Sequence, residues 1–142
     1  MIYIYTDGAY SPSNDRGGWA FIVTDQKDVL FKVGDAVSHT TNNRMEIEAV
    51  IRALIYVLNH IEEKEVTIYS DSMYVIGTLT QHWKIKKNVD LWKQMYIISQ
   101  KLKEKDIKVH FIHVKGHNGE QYNELCDELA VFYSKTQDYE CN

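Results

Sequence analysis

The 142-residue chain has a single proline, only two cysteines, and no apolar run near the roughly 20 residues that cross a bilayer. So little proline leaves long helices and strands unbroken. Cys126 and Cys141 make neither a disulfide framework nor a CxxC pattern. A reducing, cytoplasmic setting is therefore expected, with Cys126 acting as a small buried hydrophobe. The opening MIYIYTDGAY has no basic segment and no apolar stretch of leader length, which agrees with that expectation. Repeats, low-complexity tracts and linkers are absent as well. One domain is expected over 1–135, with a disordered tail at 136–142, no membrane association and a monomeric state. Strong charge of one sign is also missing. The net charge of −4 weighs against a uniformly basic nucleic-acid binder. Its distribution points the other way, because 81–105 holds seven lysines against Asp90 and Glu104, five net positive charges. That segment is either a phosphate-facing patch or a solvated helix face.

With 44% hydrophobic and 25% charged residues, the chain has the balance of a compact globular fold. Alternation and β-branched content predict strands at 2–7, 19–25 and 28–37, the last two joined at Asp25-Gln26-Lys27 as a hairpin. A helix follows, with Thr40, Thr41, Asn42 and Asn43 as cap candidates and Val50, Ala53, Leu54, Val57, Leu58 and Ile61 at helical spacing. A strand at 66–70, helices at 72–80 and 90–105, a strand at 107–114 and a helix at 121–134 complete the order βββαβααβα. A strand, a crossover helix and another strand imply parallel pairing, so 66–70 should lie beside 2–7. The expected class is α/β: a mixed five-stranded sheet, three strands antiparallel and the rest parallel, flanked by helices.

Two strands deliver an aspartate in the same way, Ile4-Tyr5-Thr6-Asp7-Gly8 and Ile68-Tyr69-Ser70-Asp71-Ser72. On parallel neighbours about 4.8 Å apart these carboxylates converge. Either one alone also fits a turn former, and Asp71 a helix cap. Glu46 stands on the same helical stripe as Val50 and Ala53, where an unpaired carboxylate is costly to bury. Asp127 has Ala130 and Val131 one turn beyond it, near the inner face of the last helix. Together the four form a hard-oxygen set that suits Mg²⁺ or Mn²⁺ better than Zn²⁺. Two such ions can activate water and stabilise a leaving oxygen in phosphodiester hydrolysis.

The strings YTDGA (5–9), TTNNRMEIEAVIRAL (40–54), YSDSMYV (69–75), NVDLW (88–92) and VKGHNGEQYNELCDELA (114–130) occur in order over nearly the whole chain. In these strings the chain resembles the type 1 ribonuclease H family. The resemblance implies a ribonuclease H-like fold and endonucleolytic cleavage of the RNA strand of RNA–DNA hybrids, leaving 5′-phosphate and 3′-hydroxyl ends. It implies two Mg²⁺ ions, replaceable by Mn²⁺, held by Asp7, Glu46, Asp71 and Asp127. His117, between Gly116 and Gly119, then assists catalysis or product departure. Asn42 and Asn43 match positions that contact the hybrid at the level of the 2′-hydroxyl, the group that separates RNA from DNA. Thr41 and Ser13 would hold a DNA-strand phosphate, Trp83, Lys84, Lys86 and Lys87 would line the DNA groove, and Asn123 and Glu124 would lie near the site.

The chain also departs from that family. Only eight residues separate Trp83 from Trp92, so it looks like a short form lacking most of the basic handle, with Lys84, Lys86 and Lys87 as the remnant. The loop Ser11-Pro12-Ser13-Asn14-Asp15-Arg16 and Met73 after Asp71-Ser72 also differ from the common pattern. Two rival readings are a related nuclease that acts on DNA and a noncatalytic hybrid-binding domain. The Asn42-Asn43 pair and the Gly116-His117 loop favour the hybrid-specific member over the first, and the presence of all four carboxylates weighs against the second.

Overall fold

The computed structural model describes residues 1–25, 27–115 and 120–135, in the order β1 (Ile2–Ser11), β2 (Arg16–Thr24), β3 (Val29–Ser38), α1 (Asn42–His60), β4 (Glu65–Ser70), α2 (Met73–Gln81), α3 (Val89–Glu104), β5 (Lys108–His113) and α4 (Gln121–Ser134). The expected tail at 136–142 lies outside those residues. One sheet holds all five strands in the order β3-β2-β1-β4-β5. β1, β2 and β3 form the antiparallel meander, while β4 pairs in parallel with both β1 and β5. No helix among the described residues is long and apolar enough to cross a membrane.

The helical stripe of α1 explains the main core. Val50, Ala53, Leu54 and Val57 are fully buried against Ile4, Val66 and Ile68 of the sheet, and Leu91, Trp92, Met95 and Leu102 of α3 close that layer. Burying a side chain of this size contributes about 1.5 to 3 kcal/mol. The opposite face carries α4, whose Cys126 and Ala130 pack on Ala20 and Ile22 of β2. The Cys126 thiol donates to the Tyr5 and Ala20 carbonyls, each at 3.4 Å, so it is the buried small residue expected.

The first two strands are longer than their periodicity suggests. β1 runs four residues past Asp7, because it keeps pairing with β2 from Asp7↔Ala20 to Ser11↔Arg16 after its parallel pairing with β4 stops at Tyr5↔Tyr69. Gly17 and Gly18 concealed the start of β2, since glycine weakens any strand signal. Asp7 therefore sits where β1 parts from β4, not at a strand end. α1 begins as expected, with Thr41 as its N-cap accepting from the Arg44 amide at 3.1 Å. α2 is capped by Ser72, whose hydroxyl accepts from the Val75 amide at 3.2 Å, so the capping role open to Asp71 belongs to its neighbour.

Candidate active site

Three elements bring three carboxylates together. Asp7 leaves β1 where the parallel ladder ends, Asp71 follows the last residue of β4, and Glu46 projects from the first turns of α1. Gly8 makes the approach of α1 possible: a Cβ there would lie 2.4 Å from the Met45 carbonyl carbon and 2.5 Å from the Glu46 nitrogen. Backbone thus crosses backbone beside the site, and only a residue without a side chain fits. One oxygen from each of Asp7, Glu46 and Asp71 lies within 4.8 Å of the other two.

Burial makes this grouping costly without a cation. Asp7 is 2% exposed and Glu46 7%. Asp7 Oδ1 accepts from the Gly8 amide at 2.9 Å, but Asp7 Oδ2 and Glu46 Oε1 are buried with no partner. Burial, then the Asp71 and Asp127 carboxyls, push Asp7 up to about 9. Glu46 is also raised well above the usual carboxylate range, by burial first and then by Asp7 and Asp71. Two orphaned oxygens on carboxylates of one such group fit a hard divalent cation, which would supply the missing partners and reverse both shifts. The three residues could hold a metal ion.

Asp127, on α4, borders this group without joining it: its carboxyl acts on Asp7 but stands outside the set of mutual 4.8 Å reach. Asn123, one turn earlier on α4, is buried with Oδ1 unpartnered, while Glu124 is exposed. His117 lies outside the described residues. Thr41, Asn42 and Asn43 are exposed at the start of α1, one turn from Glu46. Ser13 is exposed, its hydroxyl 3.4 Å from that of Ser11. Trp83 is 43% exposed and lies over Gly77, where a Cβ would meet its ring at 2.4 Å. Lys84, Lys86 and Lys87 are exposed beyond it.

The chain matches the RNase H family model over residues 1–134. It belongs to the RNase H family. Similar proteins include Ribonuclease H of Thermoanaerobacter sp. (strain X514), 38% identical over 92% of this chain and 88% of its own, and Ribonuclease H of Treponema denticola, 36% identical over 92% and 94%. Among solved structures, the N-terminal RNase H domain of rv2228c from Mycobacterium tuberculosis, in a fusion with maltose binding protein, aligns with a TM-score of 0.76 at 24% identity, covering 94% of this chain and 92% of that one. LC11-RNase H1 in complex with an RNA/DNA hybrid aligns at 0.74 and 24%, covering 93% and 98%. These likenesses agree with the ribonuclease H-like fold expected from the sequence.

Sequence reasoning about this RNase H chain missed the residues that brace the site. Arg44 donates to both Asp90 oxygens, at 3.0 and 2.8 Å, and to Asn88 Oδ1 at 3.3 Å, fastening the start of α1 to the start of α3. The hydrogen bonds from Arg44 hold Asp90 down to about 2. Asn88 Nδ2 and Trp92 Nε1 both donate to the Tyr74 hydroxyl, at 3.2 and 3.0 Å, which ties in α2. The NVDLW string carried the resemblance without showing this role, because its partner lies more than 40 residues away. His113 sets Nε2 3.2 Å from the Asp71 carbonyl oxygen and so supports the backbone that carries a site carboxylate.

Proposed function

We propose that the chain hydrolyses the RNA strand of RNA–DNA hybrids, leaving 5′-phosphate and 3′-hydroxyl ends, with Mg²⁺ held by Asp7, Glu46 and Asp71 and a second ion toward Asp127. The observation that carries this reading is the pair of buried, partnerless oxygens on Asp7 and Glu46, two residues grouped with Asp71 within 4.8 Å, in a chain of the RNase H family. Bound divalent ions would lower the pKa of an attacking water and neutralise charge on the departing 3′ oxygen.

The protein's own residues supply position and selection. Gly8 and the Arg44–Asp90 clasp fix where the Glu46 carboxylate stands relative to Asp7. Asn42 and Asn43 present amides on the exposed first turn of α1, suited to reading 2′-hydroxyls in a shallow minor groove. The Thr41 oxygen accepts from the Arg44 amide and keeps its own proton to donate to a phosphate, with Ser13 as a second hydroxyl for the same strand. Trp83 and Lys84, Lys86 and Lys87 extend the contact along the DNA strand, and Asn123 and Glu124 border the carboxylates from the α4 side. His117 would move a proton at the leaving group or hasten product departure. The enzyme acts as a monomer in the cytoplasm.

The test is an end-labelled hybrid incubated with Mg²⁺, beside duplex DNA, duplex RNA and single-stranded RNA. Cleavage confined to the hybrid's RNA strand and abolished by EDTA is expected. Comparable cutting of duplex DNA would replace this reading with that of a DNA nuclease, and binding without cutting would make the chain a noncatalytic hybrid binder.

A further inference from the structure

α4 packs across β1, β2 and β3, so the same sheet face over β4 lies beyond its edge. Among the described residues no helix packs on that strip, and its border is aromatic. Tyr5 and Tyr69, register partners on β1 and β4, stack with ring centroids 4.7 Å apart; Tyr3 stacks on Tyr69 at 6.2 Å, and Tyr122, in the first turn of α4, tilts against Tyr5 at 5.6 Å. Their rings line an open cavity of about 510 Å³ with Lys27 and Glu120 at its rim. All four tyrosines are only half-buried.

We propose that this cavity is a stacking subsite that takes an unpaired nucleotide of the RNA strand where that strand leaves the hybrid. The inference rests on the reading of function given above. An aromatic cavity on an open sheet face accepts any base by its π-face, and an ammonium at its rim suits the backbone phosphate. Lys27 is exposed there, and the Tyr122 hydroxyl donates to the Lys27 carbonyl at 3.3 Å, holding the lysine's backbone against the ring. Glu120 accepts from the Tyr122 amide at 2.8 Å, which fixes the first turn of α4, and its second oxygen can take a base amino group.

Position links the cavity to the carboxylates. Tyr5 and Tyr69 each stand two residues before a site aspartate and Tyr3 stands four before Asp7, roughly 7 and 13 Å along the strands at about 3.3 Å per residue. A stacked strand advances about 3.4 Å per nucleotide, so the cavity is some two to four nucleotides from the scissile phosphate.

The experiment compares KM for a blunt hybrid with KM for the same hybrid carrying a four-nucleotide single-stranded RNA tail, at the 5′ end in one arm and the 3′ end in the other. One tail should lower KM about tenfold in the wild type, the size expected for stacking one base. The ratio should fall to about one in Tyr3→Leu and Tyr122→Leu, and drop in Lys27→Ala, an exposed change that keeps the fold. Independently of turnover, a 5-bromouridine tail irradiated with the protein in EDTA should crosslink to Tyr3 or Tyr122. A wild-type ratio of one for both tails, a tenfold ratio that survives in both leucine variants, or crosslinks that map elsewhere would each overturn the proposal. Failure of the wild type to cut the blunt hybrid would instead refute the function, and the crosslink would still decide the subsite.

Discussion

Replacing Asp7 with Asn should destroy turnover and stabilise the metal-free protein, two effects with one cause. The Asp7 carboxyl is 2% exposed, one of its oxygens has no partner, and burial beside Asp71 and Asp127 pushes it up to about 9. An unfolded-chain aspartate titrates near 3.9. A folded-state value above the unfolded one means that the native form binds more protons, so stability is greatest below about pH 4 and is lost as pH rises toward 9. At about 1.4 kcal/mol per pH unit, the three units from 4 to 7 set a ceiling of about 4 kcal/mol. Glu46 shares the same protons, and an Asn amide must itself find partners, so the gain at pH 7 should be about 2 kcal/mol. For a domain near this size that raises Tm by about 4 to 8 °C. Thermal melts in EDTA from pH 5 to 9 should show the gap between variant and wild type widening with pH. Mg²⁺ should then raise the wild-type Tm and move the variant little, while turnover on hybrid falls by several orders of magnitude. A variant that melts at or below wild type at pH 8, or a gap that does not grow with pH, would refute the electrostatic account. Near-normal turnover would remove Asp7 from the site.

Gly8→Ala places a methyl 2.4 Å from the Met45 backbone, so α1 must shift; a loss of about 2 to 3 kcal/mol is expected, read by denaturant unfolding, with weaker Mg²⁺ binding by calorimetry. Asp90→Asn loosens the clasp on Arg44, and hydrogen exchange should quicken at the Arg44 and Met45 amides while kcat falls severalfold; unchanged exchange would make the pair incidental. Replacing Lys84, Lys86 and Lys87 with Ala should raise KM with little change in kcat and reduce the log-log salt slope of hybrid affinity by roughly 0.7 to 0.9 per lost contact. His117→Ala should do the opposite, lowering kcat at constant KM in steady-state assays.

The order of the nine elements was legible because each relies on local signals: the helical stripe of α1, the cap at Thr41, the alternation in β1 and β3. The parallel partnership of β1 and β4 followed from the crossover rule alone, and it placed Asp7 and Asp71 together before any coordinates. Burial of Glu46 could be read from its stripe, and burial of Cys126 from its residue type. Tertiary structure decided everything that depends on pairs distant in sequence. β1 continues past Asp7 because β2 supplies ladder partners through two glycines, which no local propensity records. Glu46 reaches Asp7 because Gly8 lets two backbones touch, and Arg44 stays in place because Asp90 lies across the helix layer. Asp127 acts on Asp7 from α4 yet stands outside the mutual reach of the three carboxylates, which no spacing within α4 could show. Four tyrosines scattered between positions 3 and 122 share a cavity only because two strands and a helix turn meet there. Sequence spacing registers hydrogen bonds and side-chain faces within one element; distances between elements are set by packing, where one Cβ more or less moves a helix.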